Sequence, residues 1–419
     1  MALGKIPRFS PSFSPREALT VMHRLARPGD EDTRVRSFEE AFAARIGTRH
    51  GIMVPSARYG LVLLVRALGF QPGDEVIVPA LTFFAVPAVL LAEGLRVVPA
   101  DTGLRTHVLD PEAFERAITP RTRAVIPTHL FGTPCDMGRI REIADRHDLK
   151  VIEDTAQATG ASFRGRAVGS FGHVAYYTFG LTKNMTTLSG AMVTTDDDAV
   201  AEHVRAAVAS GRPAPLEKSV KEAITGSAMM VATHPWVYPF TVHPVIVLGN
   251  RLGKDPIHER FGEAERRYDT IPEAWIDARP RGVQAAVGLR QLERLDRLNG
   301  ARAANGRRLD EALADVPGLE VPEYPEGAEP IYLSFVVHHD RREDLAAALR
   351  RRGVDTTIGY MANISDHSLF PEIRNPDACP NAARAFHRLL HLPVHPNLTP
   401  RDLDHMVEAV RSACREIAT

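Results

Sequence analysis

KVIEDTAQATGASFRGRAVGSFGHVAYYTFGLTKNMTTLSGAMV, residues 150–193, is the stretch that decides the fold. It opens on a short apolar run that ends in two carboxylates, the second being Asp154. Two more such runs, AYYTF and AMVTTD, flank a polar, Gly-containing turn that carries Lys183. Brief β-branched and aromatic runs bounded by Gly and polar residues read as buried strands. The same rhythm extends upstream. GDEVIVPALTF follows the turn Pro72-Gly73-Asp74 as a strand, AVPAVLLAEG is a helix ending at Gly94, and RVVPAD is a strand closed by Asp101. PEAFERAI is a helix with Pro111 in its first turn, RAVIPTHL a strand, and MGRIREIADRHD a helix. Strands separated by helices in this way form a mostly parallel sheet covered on both faces, an α/β fold. Ligands in such sheets collect beyond the carboxyl ends of the strands, where Thr82, His129 and Asp154 fall.

Downstream the pattern changes. RPRGVQAAVGLRQLERLDRLNGARAANGRRLDEALADV has a 3.6-residue apolar period and reads as long linking helices. The strand IYLSFVVHH, the helix REDLAAALRRRG with Gly353 just past its end, and a closing helix capped by Thr399 make a smaller α+β domain. The expected division is a large domain over 1–265, with an uncharged insertion at about 214–262, then linking helices and a small C-terminal domain over 266–419.

The 419 residues carry 51 Lys+Arg against 52 Asp+Glu, a net charge of −1 that excludes the basic footprint of a nucleic-acid binder. With 44% hydrophobic and 25% charged residues the chain is globular rather than disordered or fibrous. Cys135, Cys379 and Cys414 form no CxxC pair, and no HExxH or carboxylate cluster points to a metal. The first 21 residues lack the continuous apolar core of an export signal, so a reducing, cytoplasmic location is expected.

Ala223–Asn250 contains no Asp, Glu, Lys or Arg over 28 residues, long enough to span a bilayer. Pro235, Pro239 and Pro244, with His234 and His243, oppose a spanning helix. A buried lid or subunit contact, and a peripheral membrane contact through 223–250 with Trp236, Tyr238 and Phe240 at the lipid surface, are the other readings.

The chain has six lysines against 45 arginines, so Arg serves wherever a positive charge suffices. Lys183 stands out, being the one charged side chain between Arg166 and Asp196, and a desolvated amine there is suited to Schiff-base chemistry. Asp154 at a strand end can hold a pyridinium proton, although capping the next helix is the commoner task of such an Asp. His129 lies at another strand end and could contact substrate or serve as a satisfied structural imidazole.

A strand-end Asp followed 29 residues later by a Lys beyond a further strand resembles the sugar aminotransferases of the DegT/StrS group, fold-type I pyridoxal-phosphate enzymes. The resemblance runs through FEEAFAARIG, PGDEVIVPALTFFA, HLFGTPCDM, VIEDTAQATGASFRGRAVGSFG, FGLTKN and VQAAVGLRQLERLD to the final helix. It implies a seven-stranded-type sheet, pyridoxal phosphate with pyridoxamine phosphate as its aminated form, and Lys183 as the Schiff-base lysine and proton shuttle. Asp154 would then pair with the pyridine nitrogen, Gln157 contact the phenolic oxygen and Phe83 stack on the ring. The phosphate would sit on Ser56, Ala57 and Arg58 at a helix start, with Thr178 adding a hydroxyl. A partner subunit of a homodimer would complete that site from Asp277-Ala278-Arg279-Pro280-Arg281. At Asp277 the family usually has Asn, and a carboxylate there needs Arg279 or Arg281 to neutralise it.

Two departures bear on the substrate. The Gly-rich stretch after the lysine is reduced to Leu188-Ser189-Gly190-Ala191, and a His-Tyr-Pro block is replaced by Gly359-Tyr360-Met361, with Tyr360 a tentative substrate contact. The implied activity moves an amino group from L-glutamate or L-glutamine to a ketone on a nucleotide-activated sugar or cyclic polyol, in secondary-metabolite or surface-polysaccharide biosynthesis. A lipid-linked or hydrophobic ketone under an apolar flap, and a non-catalytic pyridoxal-phosphate-binding regulator, are the rival readings.

Overall fold

The computed structural model describes residues 4–27, 29–251, 267, 268, 270–272, 275, 278–359 and 361–418. Seven strands form the central sheet: β1 (His50–Val54), β2 (Glu75–Pro79), β3 (Arg96–Ala100), β4 (Thr122–Val125), β5 (Lys150–Asp154), β6 (Val174–Thr178) and β7 (Ala191–Thr195). Their order across the sheet is β1-β7-β6-β5-β4-β2-β3. Every pairing from β3 to β6 is parallel, and β7 alone runs against its neighbours β6 and β1. The mostly parallel α/β sheet expected from sequence is therefore present. The runs VIV, AV and VIE are buried on both sides because helices cover both faces. One face packs Val62, Leu64, Val89 and Ile152 into a core, and the other packs Ile77, Val125, Ile140 and Val151.

A smaller sheet pairs β8 (Phe335–His338) antiparallel to β9 (Leu389–Leu392). Its core joins Phe335, Leu349, Leu390, Met406 and Val410 from the strands, the helix Arg342–Arg351 and the closing helix Pro400–Ala418. The segment before residue 15 straps the two sheets together. Ile6 pairs by backbone with Gly353 and Asp355, and Arg8 makes a two-point ion pair with Asp355 at 2.8 and 2.9 Å.

Two elements lie outside the expectation. β1 and the helix Pro15–Ala26 carry no strong sequence signal: the first is polar at its start, and the second leaves Leu19 and Met22 exposed. The expected linking helices are Gly282–Leu292 and Leu295–Leu313. The uncharged insertion forms two helices, Leu216–Ala232 and Val242–Arg251, with Pro235 and Pro239 in the connection and Pro244 in the first turn of the second. Among the described residues no helix is long and apolar enough to cross a membrane.

The inner face of Leu216–Ala232 packs Ala223 and Gly226 against Phe13 and Leu181, so the insertion buttresses the loop bearing Lys183 from outside. A Cβ on Gly226 would come within 3.1–3.2 Å of both Phe13 and Leu181. Among the described residues none of 223–250 lines this chain's cavity, so they form no apolar flap over it.

Candidate active site

A cavity of about 720 Å³ opens between the carboxyl ends of the central strands and the small domain. Its floor belongs to the large domain. Asp154 ends β5 in a buried position, where its carboxylate accepts from the Ala156 N–H at 3.0 Å and faces the Thr128 hydroxyl at 3.5 Å. Burial is the main influence raising its pKa, with the Ala156 hydrogen bond, the Tyr176 phenol, Lys183 and His129 pulling the other way. Desolvation outweighs these influences, and a protonated pyridine nitrogen beside the carboxylate would favour its charged form.

Gln157, three residues on, accepts from the Phe131 N–H through Oε1 at 3.0 Å, while among the described residues its amide nitrogen donates to the Met361 sulfur at 3.5 Å. A thioether is a weak acceptor, so this amide retains capacity for a phenolate oxygen. Phe83 also lines the cavity, tilted against Phe84 with centroids 4.6 Å apart.

Ser56 caps the helix Ala57–Ala67, its hydroxyl accepting from the Tyr59 N–H at 3.2 Å. Ser56, Ala57 and Arg58 all face the cavity, so the positive end of an 11-residue helix points into it. Thr178 ends β6 on the same side. The donor set thus suits a phosphate at one end and a pyridine ring at the other, which fits pyridoxal phosphate.

Lys183 follows β6 in a loop held from several sides. Its own N–H donates to the Gly180 carbonyl at 3.0 Å, and Ser12 donates to the Lys183 and Asn184 carbonyls at 3.2 and 2.8 Å. Asn184 in turn donates to the Thr159 carbonyl at 2.6 Å. The shortened loop turns back through Leu188, whose φ of 75° is unusual for a branched residue, and Gly190 at φ 98°. The Leu188 N–H donates to the Thr186 hydroxyl at 2.9 Å, which supports that conformation.

The opposite wall is built by the small domain and the strap. Arg8, Phe9, Ser334, Arg342, Thr357 and His391 line it. None of these drew notice in the sequence, although an imidazole inside the buried strand LLHL was a usable signal.

Several sequence expectations need correction. His129 is fully buried below the cavity, its Nε2 3.0 Å from Glu153 and its Nδ1 accepting from the Cys135 N–H at 3.0 Å, so it holds the scaffold and does not face substrate. Glu153 is itself wrapped by the Gly169, Phe171 and Gly172 N–H groups. Thr82 pairs by backbone with Ala362 and stays outside the cavity. Arg279, expected at a partner subunit's phosphate site and not at this one, sits in a short strand beside Arg212–Pro213, 3.9 Å from Asp32 and away from this chain's cavity. Asp277 and Tyr360 lie outside the described residues. Among the described residues no group of His, Cys, Asp or Glu is arranged to hold a metal.

The profile of the DegT/DnrJ/EryC1/StrS aminotransferase family matches residues 25–232 and 270–411. Similar curated proteins include dTDP-3-amino-3,4,6-trideoxy-alpha-D-glucose transaminase of Streptomyces venezuelae, 33% identical over 89% of this chain and 85% of that one. Spore coat polysaccharide biosynthesis protein SpsC of Bacillus subtilis is 30% identical over 90% of this chain and 89% of its own length. Among solved structures, an aminotransferase from Psychrobacter cryohalolentis superposes with a TM-score of 0.78 at 26% identity, covering 99% of this chain and all of the other.

Proposed function

Because the chain belongs to the DegT/DnrJ/EryC1/StrS aminotransferase family and shares its fold-type I architecture, we propose that the cavity binds pyridoxal phosphate and aminates a nucleotide-activated keto sugar or a related cyclic polyol ketone. L-glutamate or L-glutamine would be the amino donor. The observation that carries the reading is the convergence of Asp154, Gln157, Phe83, the Ser56–Arg58 helix start, Thr178 and Lys183 on one cavity. Pyridoxal phosphate, when bound, supplies the electron sink that makes an amine-bearing carbon acidic.

The chain's own residues do the rest. Asp154 would keep the ring nitrogen protonated through its buried carboxylate, and Gln157 would orient the ring from its phenolic side. Phe83 would cover one ring face and exclude water. Ser56 and the N–H groups of the first helical turn hold the phosphate, with Thr178 as a further donor. Lys183 Nζ would hold the cofactor covalently in the resting protein and, once the substrate amine has displaced it, would be the free amine that takes the proton from the substrate's amine-bearing carbon. A homodimer, in which a partner subunit brings residues 277–281 to the phosphate, accounts for Arg279 and Arg281 lying outside this chain's cavity. The three cysteines are free and buried, which suits a cytoplasmic protein.

The relatives supply the substrate class: one is named as a transaminase of a dTDP-linked deoxy sugar, and another belongs to coat polysaccharide synthesis. The test is an absorbance spectrum of the purified protein before and after L-glutamate, with borohydride reduction and peptide mapping on a sample that has received no glutamate. A visible band that is lost with glutamate, and a reduced adduct on Lys183, are expected. A colourless protein that takes up no pyridoxal phosphate would overturn the reading.

A further inference from the structure

Asp154 is the middle of a row of three side chains across the carboxyl edge of the central sheet. It pairs in register with Tyr176 of β6 on one side and bridges to Thr128, just past β4, on the other. Register partners on neighbouring strands point to the same face, and all three residues are buried and line the cavity. The carboxylate therefore meets a hydroxyl from each flank. Thr128 Oγ1 lies 3.5 Å from Asp154 Oδ2, long for a hydrogen bond. The Tyr176 phenol is buried beside the carboxylate without closing a full hydrogen bond on it or on any other described residue. Its ring belongs to the apolar core with Ile152 and Val174, where Phe would fill nearly the same space and bury no hydroxyl. A buried hydroxyl left open costs free energy, so its presence calls for a partner. The Asp154 carboxylate has room for one, because an ionised carboxylate offers about four acceptor sites and the Ala156 N–H at 3.0 Å takes one of them, on Oδ1.

We propose that Tyr176 and Thr128 are positioning residues that act through Asp154, their hydroxyls donating to its carboxylate so that it stays anionic and aimed at the pyridine nitrogen of bound pyridoxal phosphate. The inference rests on the aminotransferase reading given above. Burial works against the charge: in a desolvated pair of carboxyl and pyridine the shared proton can sit on the carboxyl, which leaves the ring a weaker electron sink. Donors to the carboxylate favour the arrangement with the proton on the ring. Tyr176 already pulls the Asp154 pKa down against burial, as the Ala156 N–H does.

The experiment loads the full chain with pyridoxal phosphate carrying nitrogen-15 in its ring and reads the ring nitrogen by NMR at pH 8, where the shift separates a protonated pyridine from a bare one. The wild type is expected to show a protonated ring. Tyr176→Phe should move the shift toward the bare-ring value, Thr128→Val should move it the same way by less, and the double variant should move it further than either. Thr128→Ser keeps the hydroxyl and should stay with the wild type. Tyr176→Phe should also lower kcat roughly tenfold with L-glutamate, the size expected for one hydrogen bond to a charged group, with the circular dichroism of the fold unchanged. A ring-nitrogen shift equal to the wild type's in Tyr176→Phe or in Thr128→Val, or one displaced as far in Thr128→Ser as in Thr128→Val, would overturn the proposal. A wild type that takes up no pyridoxal phosphate, or takes it up and is not converted by L-glutamate, would overturn the aminotransferase reading instead.

Discussion

The floor and the wall of the cavity are built on different principles. The floor takes its groups from strand ends and a helix start, so Asp154, Thr178 and Ser56 are aimed by regular backbone. The wall takes its groups from the strap, the β8–β9 pair and the turn at Gly359, so Arg8, Ser334 and His391 are aimed by contacts between distant segments. A fixed floor suits chemistry common to every substrate, and an assembled wall suits discrimination among them.

Removing the covalent anchor puts this contrast to its strongest test. Lys183→Ala is expected to lower turnover by at least roughly four orders of magnitude on any donor or acceptor, as losses of covalent residues do. Steady-state rates with two unrelated ketones check it, and a variant impaired on one ketone only would erase the distinction between floor and wall. Asp154→Asn should follow with a loss on the order of 10²–10³ in kcat, since a neutral amide cannot keep the ring nitrogen charged. Both donor and acceptor half-reactions should slow together in stopped-flow absorbance.

The wall has its own sensitivity, to acid. His338 and His395 are held at about 4 and His391 at about 3, in each case chiefly by burial, and His107 lies well below its usual value for the same reason. His107 and His338 share a hydrogen bond of 2.8 Å between ring nitrogens that only neutral or singly protonated partners can make. An unfolded imidazole titrates near 6.5, so below that pH the unfolded chain binds more protons than the folded one. The stability from keeping these rings neutral is complete above about pH 6.5 and declines as pH falls toward 4, at up to about 1.4 kcal/mol per pH unit for each ring. Urea midpoints between pH 8 and 4.5 check this, and small-domain signals should be lost first. A midpoint independent of pH over that range would mean that the rings are not held neutral.

The same contrast explains what could be read in advance. A carboxylate closing an apolar run and a lone Lys in an uncharged stretch are local signals, so Asp154 and Lys183 are visible in the sequence, and the parallel sheet follows from the alternation of short apolar runs with helices. His391 lies 57 residues from Ser334 and 32 from Gly359, and its position depends on β-pairing and a cradle that no local pattern encodes. His129 misled for the converse reason: a strand end points toward a ligand only on average, and here the ring turns inward to Glu153 and the Cys135 N–H. The uncharged insertion misled in another way. Absence of charge reads as burial, yet Ile224, Trp236, Phe240 and Leu248 are each at least 60% exposed, while the Ala223–Gly226–Met229 face, Tyr238 and Ile246 are covered.

Phe83 offers the finest test, because it belongs to the floor by sequence but contributes only contact. Its ring lines the cavity and is partly buried against Phe84, so truncation removes stacking on the cofactor without removing a hydrogen bond or a charge. Offset stacking contributes on the order of 1 kcal/mol beyond burial, which corresponds to about fivefold in a dissociation constant. Phe83→Ala should therefore weaken pyridoxal phosphate retention by about that factor, or somewhat more because a cavity is left, while Phe83→Tyr retains it. Dialysis followed by titration with pyridoxal phosphate, read by absorbance, measures the change. Retention unchanged in Phe83→Ala would move this residue from the floor to the wall, as a group that meets substrate rather than cofactor.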